Sequence, residues 1–380
     1  MKPIFFERIE LLAYDIYVTH SREMEVVEKV QSYLDNKPIG WHYYLDLAWA
    51  IRELSLLPKG SIIVDAGAGN GLGQFILSEL GFNVISADVV KRNITPVLQR
   101  RYGDLIYDLE ETKKNISPKD LWSFIDEKKL TCDKSERIDY REILQKNAKK
   151  HCGKIFLYNT DLKNMAELPD NCVDSVMSIS ALEHNDIDGI AHCIKEQLRV
   201  MKETGALIAT ISASYDVDWY DEKTTGWCLT EDTIRSIFEH KKSIPSNFSQ
   251  MDFIADVLKI HNNLLDINLS PFYFTGENTA MPWGKWNPRY LPVGIIKKKS
   301  GTQGDFRAEW KPVSSMSVED QLEYTRSILK GIIEKSGSHL RELKREKDAR
   351  IGTKENFRSH GTTEIFRHIK KIAKKVLSGN

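Results

Sequence analysis

Asp65, Gly67, Gly69, Gly71 and Gly73 fall on alternate positions directly after an apolar run, Ile62 to Val64. Twenty-three residues beyond Asp65, a second apolar run closes on another carboxylate, Asp88. Glycines let a backbone approach a ligand closely, and a carboxylate ending the next strand can accept from paired ribose hydroxyls. The pattern suits a nucleoside-bearing cofactor held on an open α/β sheet. The dinucleotide fingerprint G-x-G-x-x-G would need its third glycine at position 72, where this chain has Leu72.

Two more segments follow in order. The first runs from Tyr158 to His184 and holds Asp161-Leu162, Leu168-Pro169-Asp170, Asp174 and Leu182-Glu183-His184. The second is Leu198-Arg199-Val200-Met201-Lys202, followed by Gly205-Ala206-Leu207. Together with the glycine turn, these resemble the class I S-adenosylmethionine (SAM) methyltransferases, in the type 11 branch that includes ubiquinone and menaquinone biosynthesis enzymes. Glu203 and Thr204 stand where that branch carries Pro-Gly. The resemblance covers roughly residues 40–300.

That resemblance implies SAM as cofactor and a role for each matching residue. Gly67, Ala68, Gly69, Asn70 and Gly71 line its methionine and ribose parts, with Asp65 near the sulfonium and amino group. Asp88 takes the ribose hydroxyls, by charge-assisted hydrogen bonds, and Val89 packs on the adenine. Asp161 accepts from the adenine amino group, Leu162 adds an apolar contact, and Ser180 completes the pocket.

Methyl transfer from a sulfonium is an in-line displacement with the leaving group already activated. The protein must mainly align donor and acceptor and exclude water. An alcohol acceptor gains from a general base. His184, after the fourth strand, is the first candidate, since an imidazole titrates unperturbed near pH ~6.5; His42 is the second. Trp41, His42, Tyr43 and Tyr44, just ahead of the first core strand, are expected to wall the site, with Trp41 and Tyr44 contacting the acceptor. Asp216, Asp218, Trp219 and Trp227, after the fifth, combine aromatic faces with carboxylates as sugar sites do. Each has a plainer use: His184 at a helix start, the aromatic rings in the core, Asp161 in a turn. Glu183, Asp186 and Asp188 beside His184 match no metal-ligand spacing, so no metal is expected.

These residues need a scaffold. Apolar runs predict strands near 61–66, 83–88, 154–159, 173–179, 205–212 and 290–297, with helices at 72–80, 190–202 and 230–240. Alternation of this kind predicts a Rossmann-like α/β fold with a mostly parallel sheet. Residues 1–58 read as a helical cap and 59–300 as the methyltransferase domain. About 65 residues separate Asp88 from the next strand, too many for an unstructured connection. Residues 91–153 are therefore expected to form a helical insert beside the cofactor. The stretch 214–227 is aromatic, acidic and turn-rich, and 301–380 reads as a charged helical extension. Within it, residues 363–377 alternate apolar and basic faces at helical spacing, which suits weak contact with an anionic membrane, a partner or a homodimer mate.

Composition narrows the rest. The 54 basic and 54 acidic residues leave no net field of the kind nucleic-acid binders show. Five cysteines without a C-x-x-C pair read as reduced thiols. No run approaches the ~18–20 apolar residues of a membrane span, and the N-terminus has no signal-like stretch, so a cytoplasmic protein is expected, peripheral at most to the inner face of the membrane. The leading reading is a methyltransferase acting at oxygen on a small or sugar-like acceptor; the run from Gly40 to Trp49 is similar to bacterial surface-polysaccharide methyltransferases. A quinone or lipid-precursor methyltransferase and a non-catalytic SAM-binding scaffold are the alternatives.

Overall fold

The computed structural model describes residues 5–13, 16, 19–34, 39–133, 136–145, 152–222, 224–252, 254–255 and 290–299, without the Trp41 side chain. Contacts divide the chain into two units, Met1–Ser314 and Ser315–Asn380, and the described residues all belong to the first. The extension expected at 301–380, with its amphipathic stretch 363–377, lies outside them.

Among the described residues, ten strands form one sheet: β1 (Arg8–Leu11), β2 (Ile62–Ala66), β3 (Asn83–Asp88), β4 (Ile106–Asp108), β5 (Ile155–Asn159), β6 (Ser175–Ile179), β7 (Leu207–Ala213), β8 (Trp219–Asp221), β9 (Gly226–Leu229) and β10 (Leu291–Lys297). The order across the main sheet is β4-β5-β3-β2-β6-β7-β10-β1. From β4 to β7 every pairing is parallel, while β10 runs antiparallel to both its neighbours. The fully buried run Ile62–Ala66 shows why the centre is apolar throughout, since helices cover both faces of such a sheet. This is the Rossmann-like, mostly parallel arrangement that the sequence predicts.

After β2 the chain moves to one side of it, through β3 and β5. It then returns to the other side with β6. The carboxyl ends of β2 and β6 therefore flank a topological switch point, the crevice where open α/β sheets bind ligands.

Helices α1 (Ser21–Tyr33) and α2 (Trp41–Leu54) form most of the described N-terminal segment. That segment is not helical throughout. Arg8–Leu11 pairs with β10 as an edge strand, burying Ile9 and Leu11. Its polar positions are satisfied within the strand and from α2: Arg8 meets Glu10 at 2.8 Å and Glu53 at 2.9 Å, and Trp49 donates to Glu10. Trp49 also presses α2 onto β10, where a Cβ at Gly294 would stand 2.6 Å from the indole.

Helix α3 (Gly73–Glu79) follows the glycine turn. Within 91–153 lie α4 (Pro96–Tyr102), α5 (Leu109–Lys113), α6 (Leu121–Lys128) and α7 (Tyr140–Leu144). The insert also supplies β4, which extends the sheet beyond β5. Helix α8 (Ile187–Val200) starts at Asp186, whose carboxylate accepts from the Gly189 N–H at 2.6 Å. Helix α9 (Glu231–Ile237) is capped by Thr230. The turn-rich stretch 214–227 contains strand β8 and enters β9, which together form a hairpin, and β9 pairs with Ser212 and Ala213 beyond the end of β6.

Candidate functional site

The glycines act through their backbone. Gly67 has φ +80°, and a Cβ there would lie 2.3 Å from the Ala181 methyl. Gly69 has φ +44° and donates its N–H to Asp88 Oδ2 at 2.8 Å. The other oxygen of Asp88 accepts from the Val90 N–H at 2.7 Å, so this carboxylate ties the glycine turn to the end of β3. Val89 stands beside it, exposed.

One residue of this turn carries no signal in the sequence. Arg92 donates from Nη1 to the carbonyls of Gly69 and Gly71, at 2.8 and 2.9 Å, and its guanidinium lies over the Phe75 ring. It holds the outside of the turn. No local motif marks it, because an arginine a few residues after a strand is unremarkable in sequence. Asn159 plays a similar part at the end of β5, donating to the carbonyls of Asp88 and Val89.

A cavity of about 410 Å³ opens at the switch point. Its floor is Asp65 and the turn from Gly67 to Gly73, including Ala68, Asn70 and Gly71; its walls include Ile39, Tyr43, Leu47, Ile179 and Ser180. Leu162 is buried, with Cδ1 3.8 Å from where a Gly67 Cβ would sit. Ser180 takes a left-handed φ of +44° and donates its N–H to the carbonyl of Thr210. Non-glycine residues in that conformation are concentrated at functional sites.

Asp65 is buried, and its Oδ2 has no hydrogen-bond partner. Burial pushes its carboxyl up to about 7; nearby Arg92 opposes the rise and Asp88 adds to it. An orphaned buried carboxyl oxygen lining a cavity calls for a positively charged or hydrogen-bonding ligand. The sulfonium and ammonium of SAM fit that demand, as the glycine cradle and Asp88 fit its ribose. When bound, SAM supplies an electrophilic methyl group.

Of the expected aromatic wall, Tyr43 lines the cavity. Tyr44 is buried and its hydroxyl donates to Gln31 on α1, so it does not face the cavity. Successive helix positions differ by about 100°. His42 sits behind that wall, buried, with its Nδ1 2.8 Å from Asp46 Oδ2 and its ring against Tyr43. The Trp41 side chain lies outside the described residues.

His184 is exposed at the end of a short 3₁₀ turn, Leu182–His184. Its Nδ1 meets the Thr225 carbonyl at 2.9 Å. A carbonyl can only accept, so Nδ1 carries the proton and Nε2 the lone pair. The hairpin thus sets the tautomer a base requires.

Asp161 accepts from the Lys163 N–H at 2.9 Å and faces solvent, in a turn. Asp218 is committed to α9, accepting from the Thr230 N–H at 2.6 Å and from the Thr233 hydroxyl. That corrects its expected use: a carboxylate filled by a helix start has little left for an acceptor. Asp216 is exposed, and Trp227 meets Tyr220 edge-on at 5.4 Å across the hairpin rather than Trp219. None of these hairpin residues lines the cavity. Among the described residues, no group of three or more His, Cys, Asp or Glu is placed to hold a metal.

Residues 129–209 match a family described as a methyltransferase domain. No curated protein matches the chain. Among solved structures, a Pyrococcus horikoshii protein is 18% identical over 40% of this chain and 46% of its own, with a TM-score of 0.22. Magnesium protoporphyrin IX methyltransferase from Synechocystis, with bound SAM, is 14% identical over 50% and 62%, TM-score 0.30. A SAM-dependent methyltransferase from Methanosarcina mazei is 15% identical over 48% and 79%, TM-score 0.31. The chain thus spans about half to three fifths of the length of the first two. The family match falls on β5, β6 and α8, beside the cavity built by the glycine turn. Residues 129–209 are thus similar in sequence to a methyltransferase domain, and they lie in the same sheet as the glycine turn.

Proposed function

We propose that the protein transfers the methyl group of SAM to an oxygen of a small or sugar-like acceptor, in the assembly of a bacterial surface glycan. The observation that carries the transfer is the cavity itself. It joins an orphaned acid, Asp65, and a glycine cradle on one side to an aromatic ring, Tyr43, on the other. The held tautomer of His184 favours oxygen, because Nε2 is left as an acceptor for a hydroxyl proton. Tyr220 and Trp227 on the neighbouring hairpin offer aromatic surface of the kind sugar rings stack on. In this reading the enzyme is cytoplasmic, and the basic stretch 363–377 gives it weak contact with the anionic inner face of the membrane.

The test is transfer of radiolabelled methyl from SAM into fractionated cell-envelope precursors. Label in a base-stable, acid-released sugar ether supports the reading. Label in a quinone or lipid fraction replaces the acceptor class. Bound SAM with no transferred label in any fraction would make the protein a SAM-binding scaffold.

A further inference from the structure

Behind the cavity wall the structure gathers more carboxylates than binding a ribose and an amino group requires. Ser180, which lines the cavity, donates from Oγ to Asp46 Oδ2 at 3.2 Å. Glu183, three residues further on, faces the same Asp46. Asp46 and Glu183 are both buried, and each has an oxygen with no partner, Oδ1 and Oε2 respectively. They come from α2 and from the turn after β6, brought together only by the fold. Of the three buried acids with orphaned oxygens, Asp65 lines the cavity, while Asp46 stands behind Ser180 with Glu183 facing it.

We propose that Asp65, Asp46 and Glu183 form a charge-selective set that distinguishes the sulfonium cation of SAM from the neutral thioether of S-adenosylhomocysteine, releasing protons to solvent as SAM binds. The proposal rests on the SAM-binding reading above and adds to it the basis for product release. Transfer removes the fixed positive charge from the cofactor. The set then loses its counter-ion, takes protons back, and lets the product go.

The surroundings of each acid set the direction. Asp65 faces Arg92 and Asp88 from the β3 end, and accepts from the Gln74 N–H of α3. Arg92 is itself pulled down to about 10 by burial, with Asp65 opposing. Glu183 faces Asp46 from α2, and burial followed by that like charge raises its carboxyl to about 8. Asp46 is raised by burial and drawn down by His42 on its own helix and by Ser180 and Thr210 from β6 and β7. Burial is the largest influence on all three and raises each of them, Asp65 to about 7 and Glu183 to about 8. A bound cation favours the carboxylates, expels their protons, and binds more tightly as pH rises through 7 to 8.

Calorimetry on the full chain tests this, with SAM and S-adenosylhomocysteine as titrants between pH 6 and 9 in buffers of different ionisation enthalpy. Both ligands carry the same amino and carboxyl groups, so their difference isolates the sulfonium. The expected result is a SAM enthalpy that varies with the buffer, showing net proton release, and a SAM affinity rising between pH 6 and 7 by up to about tenfold per pH unit for each proton released. The preference for SAM over S-adenosylhomocysteine should widen over that range and shrink in Glu183→Gln and Asp46→Asn. If a variant fails to fold, the buffer series on the unaltered chain still decides. Equal proton release and equal pH dependence for the two ligands would overturn the proposal while leaving the cofactor assignment intact. Absence of SAM binding at every pH would instead remove the reading on which it rests.

Discussion

Replacing Asp65 with asparagine should stabilise the cofactor-free protein, and far more at pH 8 than at pH 5. Asp65 is 3% exposed, one of its oxygens has no partner, and burial raises its carboxyl from an ordinary 3.8 to about 7. A carboxyl raised in the folded state contributes stability that is fully present below its unfolded value. That contribution is lost as pH climbs through the folded value, because the folded protein must then ionise a group that burial disfavours. A tenfold change in proton affinity corresponds to about 1.4 kcal/mol, so the full window from near pH 4 to pH 7 spans roughly 4 kcal/mol. Between pH 5 and pH 8 about a hundredfold of that change remains, or roughly 3 kcal/mol. Asparagine keeps the acceptor oxygen toward Gln74 and cannot ionise, so the variant escapes the loss. Glu183 titrates in both proteins and cancels from the comparison. Melting curves without cofactor should therefore show the variant gaining about 5 °C or more on the parent when the pH goes from 5 to 8. A gap between the two proteins that is the same at both pH values would refute the reasoning. Affinity for SAM should fall in the same variant, since the orphaned oxygen is there for a cation.

Gly67→Ala would force a methyl to 2.3 Å from Ala181 at a left-handed φ, costing on the order of 1–3 kcal/mol of stability and closing the cradle; unchanged SAM affinity by calorimetry would sink the cradle assignment. Asp88→Ala removes both the ribose acceptor and the ties to Gly69 and Val90, and should weaken SAM binding by about 1.5–3 kcal/mol. Wild-type affinity in that variant would mean the ribose is held elsewhere. His184→Ala should lower turnover by roughly 100-fold or more with SAM affinity nearly intact. Equal losses in both would place His184 in the cofactor pocket, and no loss in either would move the base role to His42.

The features readable from sequence are those whose chemistry is local. Alternate glycines after an apolar run specify a turn within nine residues, and Asp88 ends the very next strand, so neither needs distant chain to be recognised. The same holds for the strand–helix alternation, which depends on periodicities of two and 3.6 residues. Arg8–Leu11 is illegible because four residues with alternating charges carry too little periodicity to name a strand; its pairing with β10, nearly 300 residues away, creates it. Asp218 misleads because a carboxylate near aromatic rings reads as a ligand, and only the position of Thr230 and Thr233 reveals that it accepts from the start of a helix twelve residues on.

What tertiary structure alone decided is which faces meet. On α2 the choice between Tyr43 and Tyr44 as cavity wall is a rotation of about 100°, set by Trp49 seating against Gly294 on β10. No local pattern encodes that rotation. Asp46 and Glu183 lie far apart in the chain and come together beside Ser180, whose left-handed backbone ends β6. The sequence determined a Rossmann-like sheet with a glycine turn after its first core strand, because backbone conformation is local. Only the packing of distant elements decided which charges share a low-dielectric space, because burial belongs to the fold and not to any one segment.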